Sequence, residues 1–474
     1  MSVRRICRAQ RRRLAGNEDG LGMTEILVAM MVFAIIATTA AYGILNALTL
    51  TSSTRSSATA MSIASSDLDK MRIAASVDDS GVFDVVSTTS PIPKTVAGTT
   101  YSVSRTVTWQ TTTGTIGACG TGTGTLQYKN VSETVSWVTT NGITRSVTMS
   151  SSIAPLSNIN SDTTGTIIVT VTGAGGQPVP GLTVSITPTS TGGGSALNDP
   201  PQNTDIAGCS FGLLVDPGSY NVTASLAGDI DVYQNATAII TTVATTPTAS
   251  PISVAAGQNT IVNFTYDQAA TFPLTYPAGA TLPTNLPISF YHPTPGTTPF
   301  LSATPPATVK AFPWGDGYTI IGGKYFYTAT SSTSSCLDTN PATWTTPRAA
   351  DGALGVAPTP VIAGGGTTAA PTAVPLGTLT LNGISSLSGK YITAVTKSTP
   401  AAGDPGCNAG QTLSFPVLGT VSSTTLALPY GTWNLYYGTS SGSTTTAFSS
   451  GLLTGQVGGT VVSGNAILID PRVP

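Results

Sequence analysis

The side chains able to do chemistry are few and scattered. His292 is the only histidine in the 474 residues, so any histidine-based relay has one candidate, and it sits in a Pro-rich turn. Gly438-Thr439-Ser440-Ser441-Gly442 matches G-x-S-x-G. That motif acts only where a strand turns sharply into a helix, and here the surroundings read as a Gly/Ser-rich loop. Asp229 and Asp231 are too few for a cation that takes 6–8 oxygens and read as a solvated loop. The cysteines lack C-x-x-C spacing, which favours disulfides over zinc. No glycine-rich phosphate loop precedes a helix. These features leave no catalytic residue, cofactor or metal to assign, and the chain reads as a non-enzyme. One residue stands apart. Glu25 is a carboxylate at the mouth of "ILVAMMVFAIIATTAAYGILNALTL", 25 residues without a charge. A carboxylate held at a membrane is costly, so its presence asks for a function.

That apolar run is the first element to place. At 1.5 Å per residue it covers about 37 Å, enough for a hydrocarbon core of roughly 30 Å. Arg4, Arg5, Arg8, Arg11, Arg12 and Arg13 precede it and should stay cytoplasmic. A secretory h-region is shorter, roughly 7–15 residues. The run continues into the helix-compatible "TSSTRSSATAMSIASSDLDKMRIAAS", with Met61, Leu68 and Met71 spaced for one face.

The stretch from Gly20 resembles the N-terminus of type IV prepilins and pseudopilins: a basic leader, a glycine before the cut, Glu at the fifth mature position, then a long apolar helix. The resemblance implies cleavage by prepilin peptidase between Gly20 and Leu21, since a cut after Gly22 would leave Glu25 third. It also implies that Glu25 pairs with the new N-terminal ammonium of a neighbouring subunit. Such a pair offsets part of the desolvation of both charges and fixes axial register. The alternative for Glu25 is a place at headgroup level.

Beyond the helix the composition changes. Over the whole chain only 8% of residues are charged, with 51 Gly and 33 Pro and a net charge of −2; setting aside the first 20 residues leaves 13 basic and 19 acidic side chains, a net of −6. Such a chain suits short strands and turns, and its weakly acidic body argues against nucleic acid. Asp78-Asp79-Ser80-Gly81 is a helix stop. "YSVSRTVTW" and "NVSETVSW" follow, both alternating with apolar residues on odd numbers, and "GITRSVTMS" comes after Asn141-Gly142. Paired antiparallel, the first two place Arg105 opposite Glu133, Val103 opposite Val135, Val107 opposite Val131 and Tyr101 opposite Trp137. Trp109 beside Lys129 is the exception. A slip of one residue would turn an apolar set outward. Helix then antiparallel sheet is also the order of small pilin-like heads.

"TGTIIVTVTGAGGQPVPGLTVSITPTS", "DIAGC-F" and "DPGSYNV" resemble the transthyretin-like, carboxypeptidase-regulatory-like β-sandwich, a module that implies no catalytic residues. "GTLTLNGISSLSGKYITAV" and "LALPYGTWNLYYG" echo it near the end. The expected organisation is a leader over 1–20, a membrane and filament helix over 21–76, and a pilin-like β head over 77–157. A transthyretin-like sandwich then spans 158–270, and a second β module 271–474, with a Pro/Gly-rich linker or loop around 346–375. The fold class is mainly β with one long N-terminal α-helix.

Four cysteines lie beyond the apolar run, an even number that fits an oxidising exterior. Cys336 and Cys407 share the last region and lie in turn-rich segments, so they should bond. Cys119 and Cys209, in separate expected domains, are left unassigned. Trp314, Tyr318, Tyr325, Tyr327, Trp433, Tyr436 and Tyr437 read as core and strand-end aromatics, with a sugar-binding face as the alternative. The whole reads as a minor pilin-like protein, since bulky modules on every subunit would hinder packing. It would be a single-pass membrane protein before assembly, with a cytoplasmic leader and its body at the cell surface. Its expected partners are prepilin peptidase, other pilin subunits, the membrane and a surface ligand such as carbohydrate. A membrane-anchored adhesin outside any filament and a minor pseudopilin of a secretion system are the alternatives.

Overall fold

The computed structural model describes Gly22 onward, apart from residues 78–80, 89, 115, 118, 120–125, 140, 156–158, 160–161, 240–250, 294–299, 303, 326–334, 454–457 and 474. Gly20 and Leu21, most of the Asp78–Gly81 stop, and Tyr327 therefore lie outside the described residues.

The chain is mainly β with one long N-terminal helix. Helix α1 runs over Met23–Ala75. Strands β1 (Ile92–Val96), β2 (Thr99–Thr111), β3 (Ile116–Gly117), β4 (Leu126–Val138) and β5 (Thr144–Ile153) follow, in sheet order β1-β2-β4-β5 with β3 on β2. The chain divides into two compact units. One holds residues 1–71, 90–106 and 132–151; the other holds 72–89, 107–131 and 152–474.

In the first unit every residue of α1 from Met23 to Ser52 is exposed. The buried stripe begins later and falls on Ala60, Ile63, Ala64, Asp67 and Leu68, the 3,4 spacing of one helical face. Met61, expected on that face, is 51% exposed. The alanines let the backbone approach the sheet, and Ala60, Ile63 and Ala64 pack on Tyr101, Val103, Val135 and Trp137. Tyr101 and Trp137 stand with ring centroids 5.9 Å apart, Ser136 Oγ donates to Ser102 O at 3.4 Å, and Arg105 Nε donates to Glu133 Oε2 at 3.1 Å. These three contacts share one index sum, as an antiparallel pair requires.

In the second unit, β6 (Gly165–Thr172), β8 (Cys209–Val215), β10 (Asp229–Asp231) and β13 (Asn259–Gln268) form one sheet, in order β10-β13-β6-β8. Strands β7 (Thr183–Pro188), β9 (Gly218–Ser225), β11 (Thr237–Ile239) and β12 (Ile252–Val254) form another around β9. Ile167, Val169 and Val171 of β6, Val184 and Ile186 of β7, Tyr220 and Val222 of β9, and Phe264 and Tyr266 of β13 share one core. The arrangement is that of two layers closed on apolar faces. The module's first and last strands, β6 and β13, run parallel, from Thr166 opposite Asn259 to Thr172 opposite Thr265.

From β14 (Ala270–Thr275) to β27 (Ala466–Ile469) a second continuous core gathers Phe272, Phe290, Tyr318, Leu379, Phe415, Trp433 and Ile467. The echo of the first module extends to strand pairing. Strand β20 (Gly377–Asn382) pairs antiparallel with β23 (Ser423–Leu428) as β6 does with β8, and β21 (Tyr391–Thr396) pairs with β24 (Gly431–Gly438) as β7 does with β9; β6 has β13 as a second neighbour, whereas β20 and β23 form a two-stranded sheet. The segment expected as linker or loop is bound to this core. Val361 bridges Tyr318, Thr368 bridges Thr271, and Ala363, Ala369 and Val374 are buried.

Candidate functional site

Glu25 stands in the first turn of α1, where a negative charge meets the positive end of the helix dipole. The helix starts at once: Glu25 N donates to Gly22 O at 2.8 Å. Glu25, Val28, Val32 and Ile36 recur at the spacing of one face. Threonine hydroxyls along this apolar half are turned back on their own backbone. Thr38 Oγ1 donates to Ala34 O at 2.8 Å and Thr39 Oγ1 to Ile35 O at 2.9 Å. A helix placed in lipid must satisfy such donors internally. α1 is long and apolar enough to cross a membrane.

What fastens the other half of α1 was only partly legible. Arg105 lies on the otherwise apolar face of the sheet. Its Nε donates to Glu133 Oε2 at 3.1 Å, and its Nη2 donates to Asp67 Oδ2 of α1 at 2.6 Å. Lys94 Nζ of β1 reaches the other oxygen of Asp67 at 3.1 Å. Glu133 is wholly buried and Asp67 nearly so. Burial, then the neighbouring Asp67 carboxyl, pushes Glu133 up to about 7. Burial also raises Asp67, but hydrogen bonds with Glu133, Lys94 and Arg105 outweigh it and bring Asp67 down to about 2. The sequence paired Arg105 with Glu133 from alternation and missed Asp67. Its signal was a carboxylate at the helical spacing of Ala60, Ile63 and Ala64.

The second unit explains the exception in the strand pattern. Lys129 is buried and donates to Val85 O at 2.8 Å and Phe83 O at 3.4 Å. Its ammonium lies 4.9 Å from the Trp109 ring centroid and 5.4 Å from that of Phe83. Burial lowers its pKa to about 8 against the pull of Asp205 and Asp84. Near it is a cleft of about 410 Å³ lined by Phe83, Phe211, Asp84, Asp205, Asn203 and Ser210, among others. Cys209, which also lines it, is bonded to Cys119, a pairing the expected domain boundary had obscured. Cys336 is bonded to Cys407.

Of the remaining candidates, the aspartate pair departs from the sequence expectation, while Ser440 and the described aromatics fall where it put them. Asp229 and Asp231 are buried rather than solvated. Asp231 accepts from Tyr233 N, Asn235 N and Asn235 Nδ2, closing a turn. His292 stacks on Trp314 with centroids 4.3 Å apart and meets Asp316 Oδ1 at 2.6 Å. Ser440 lies in the turn after β24 (Gly431–Gly438), not at a strand-to-helix elbow. Trp433, Tyr318 and Tyr325 are buried; Trp314, Tyr436 and Tyr437 are half-buried.

No family model matches the sequence, and no curated protein matches it. Solved structures with some likeness include the Bacillus anthracis TIE protein, at 11% identity over 74% of this chain and 67% of that one, with a TM-score of 0.18. BcpA, the major pilin subunit of Bacillus cereus, matches at 13% identity over 30% of this chain and 40% of that one, with a TM-score of 0.16. A second structure of that pilin subunit, carrying a point substitution, matches at 11% identity over 65% of this chain and 96% of that one, with a TM-score of 0.17. Scores this low carry no argument about fold or role.

Proposed function

We propose that the chain is a minor type IV pilin-like surface protein. Prepilin peptidase cuts it between Gly20 and Leu21, it is held and assembled through α1, and it displays its β modules outside the cell. One observation carries the reading: a carboxylate in the first turn of an apolar helix that is exposed from Met23 to Ser52, five residues after Gly20. A lone chain gains nothing from such a surface in water, whereas a bilayer or a bundle of like helices buries it. Glu25 would then meet the Leu21 ammonium of a neighbour. The transthyretin-like reading of residues 158–270 draws support from the two-layer core.

N-terminal sequencing of sheared surface material tests this. The expected start is Leu21, leaving 454 of the 474 residues. Glu25→Ala should be cut normally and fail to enter filaments. Material starting at Met1 or Met23 would refute the processing, and normal incorporation of Glu25→Ala would refute the pairing.

The cleft beside Cys209 favours a second reading, an anchored ligand-binding protein that displays a carbohydrate site and enters no filament. Surface protein that keeps residues 1–20 and binds glycans through the Phe211 cleft would decide for it.

A further inference from the structure

The first unit carries, beside the start of the helix's packed half, features that α1 does not need for its own packing. The hairpin joining β4 to β5 turns at Asn141-Gly142, with Gly142 at φ 76°, and Thr139 N closes it on Ile143 O at 2.9 Å. At its tip Val138 is 59% exposed and Ile143 54%. The hairpin joining β1 to β2 ends nearby, and Val96 there is 41% exposed. Thr99, just past that turn, lines a cleft of about 230 Å³ together with the β4–β5 tip and α1. Its α1 wall is Thr49, Leu50, Ser52, Ser53 and Ser56, four hydroxyls and one apolar side chain. Its opposite wall includes Asn141 and Arg145, and among the described residues no carboxylate lines it.

Depth gives this cleft a meaning. The uncharged run from Ile26 to Leu50 spans about 37 Å, and a hydrocarbon core takes roughly 30 Å of that. The outer boundary therefore falls within the last two turns before Leu50. Headgroups occupy roughly the next 5–8 Å, the height of Thr49 to Ser56. The cleft opens at that level, Arg55 lies on the same turn of α1, and the exposed Val96, Val138 and Ile143 belong to the hairpins that reach it.

We propose that this cleft is a seat for anionic lipid headgroups, and that the two hairpin tips form a foot on the outer face of the bilayer before assembly. Arg145 supplies a forked guanidinium for the phosphate. The serine hydroxyls and the Asn141 amide supply neutral hydrogen-bond donors. Val96, Val138 and Ile143 enter the glycerol boundary as an interfacial element does. The seat sets the head's tilt on the membrane, and a subunit leaving for a filament must vacate it. The inference rests on α1 crossing the bilayer.

The test uses the full chain with Cys7→Ser, reconstituted in phosphatidylcholine vesicles with or without phosphatidylglycerol. One environment-sensitive fluorophore is placed at Val32→Cys, Ile143→Cys or Ser65→Cys in turn. Deep acyl spin labels should quench position 32, which reports insertion of α1. Headgroup spin labels should quench position 143 and spare position 65, about 22 Å beyond Leu50. Half phosphatidylglycerol should increase quenching at 143 at least twofold, and Arg145→Gln should abolish that increase. If position 32 is quenched while 143 behaves like 65, the foot is overturned and the span stands. If position 32 is not quenched, the span fails and the foot with it. If Arg145→Gln responds to phosphatidylglycerol as the parent does, the phosphate seat is overturned.

Discussion

Arg105 on β2 places its Nη2 2.6 Å from Asp67 Oδ2 on α1. The same guanidinium holds Glu133 through Nε, so one side chain fastens helix to sheet and strand to strand. Removing the cation leaves two carboxylates with Lys94 alone, and losing one partner of a buried pair can cost about 3–5 kcal/mol. Arg105→Met should therefore destabilise the head far more than Glu133→Gln, which keeps the Arg105–Asp67 bond. Arg105→Met with Asp67→Leu and Glu133→Leu should recover most of the loss. Urea titration with pulse-labelling of peptides from 99–106 and 132–138 would measure it. Equal losses for the two single variants would contradict the arrangement.

The same cluster gives the head a pH dependence of definite sign. Glu133 holds its proton up to about 7 when folded, above its unfolded value, so stability falls as pH rises between roughly 4.5 and 7. Asp67, at about 2, works the other way: its contribution is complete above the unfolded value near 3.9 and is lost as pH drops through 2. The urea midpoint of the sheet should decline from pH 4.5 to 7, and Glu133→Gln should flatten that slope. An unchanged slope in the variant would place the proton elsewhere.

The Cys119–Cys209 bond closes a loop with a sequence separation of 90. In the chain-entropy view, a loop of that size stabilises by on the order of 4–5 kcal/mol. Cys119→Ala with Cys209→Ala should lower the stability of the second unit by up to that amount. A non-reduced peptide map should find 119 joined to 209 and 336 joined to 407. Any crossed pairing would be decisive against both.

Gly317 sits at φ 76°, and a Cβ there would stand 2.3 Å from Val361 O, on the bridge that ties the 350–376 segment to its core. Gly352, at φ 74°, faces open space. Gly317→Ala should expose the segment to protease. Gly352→Ala should cost only about 1 kcal/mol and leave it protected. Similar cleavage in both would mean that the bridge does not hold the segment.

Alternation on odd numbers was enough to set the β2–β4 pairing, because one wrong step would expose Val103 and Val135. The identity of α1 was equally plain from 25 uncharged residues. What stayed hidden depended on partners far along the chain. Asp67 looked like one more polar residue on a helix until Arg105 arrived from 38 residues away. Lys129 broke a pattern until Phe83 and Val85 offered carbonyls to it. The pattern shared by β6 and β20 carried over to pairing, since each takes the matching strand, β8 or β23, as its antiparallel neighbour; only the further partner β13 on β6 had no signal in the pattern.

The two disulfides also decide how the molecule answers a pull. Tension applied between α1 and the C-terminal end of the chain follows the shortest covalent path, through Cys119 to Cys209 and Cys336 to Cys407. The bridged spans, with sequence separations of 90 and 71, cannot unspool, which removes roughly 500 Å of extension. Strand β6 lies inside the first span, so the parallel ladder between β6 and β13 is shielded from load entering at its own start. Reduction would put β6 back in line, with force entering at Gly165 and leaving beyond Gln268, opposite ends of the ladder. The oxidised chain is a short tether and the reduced one a long, yielding tether.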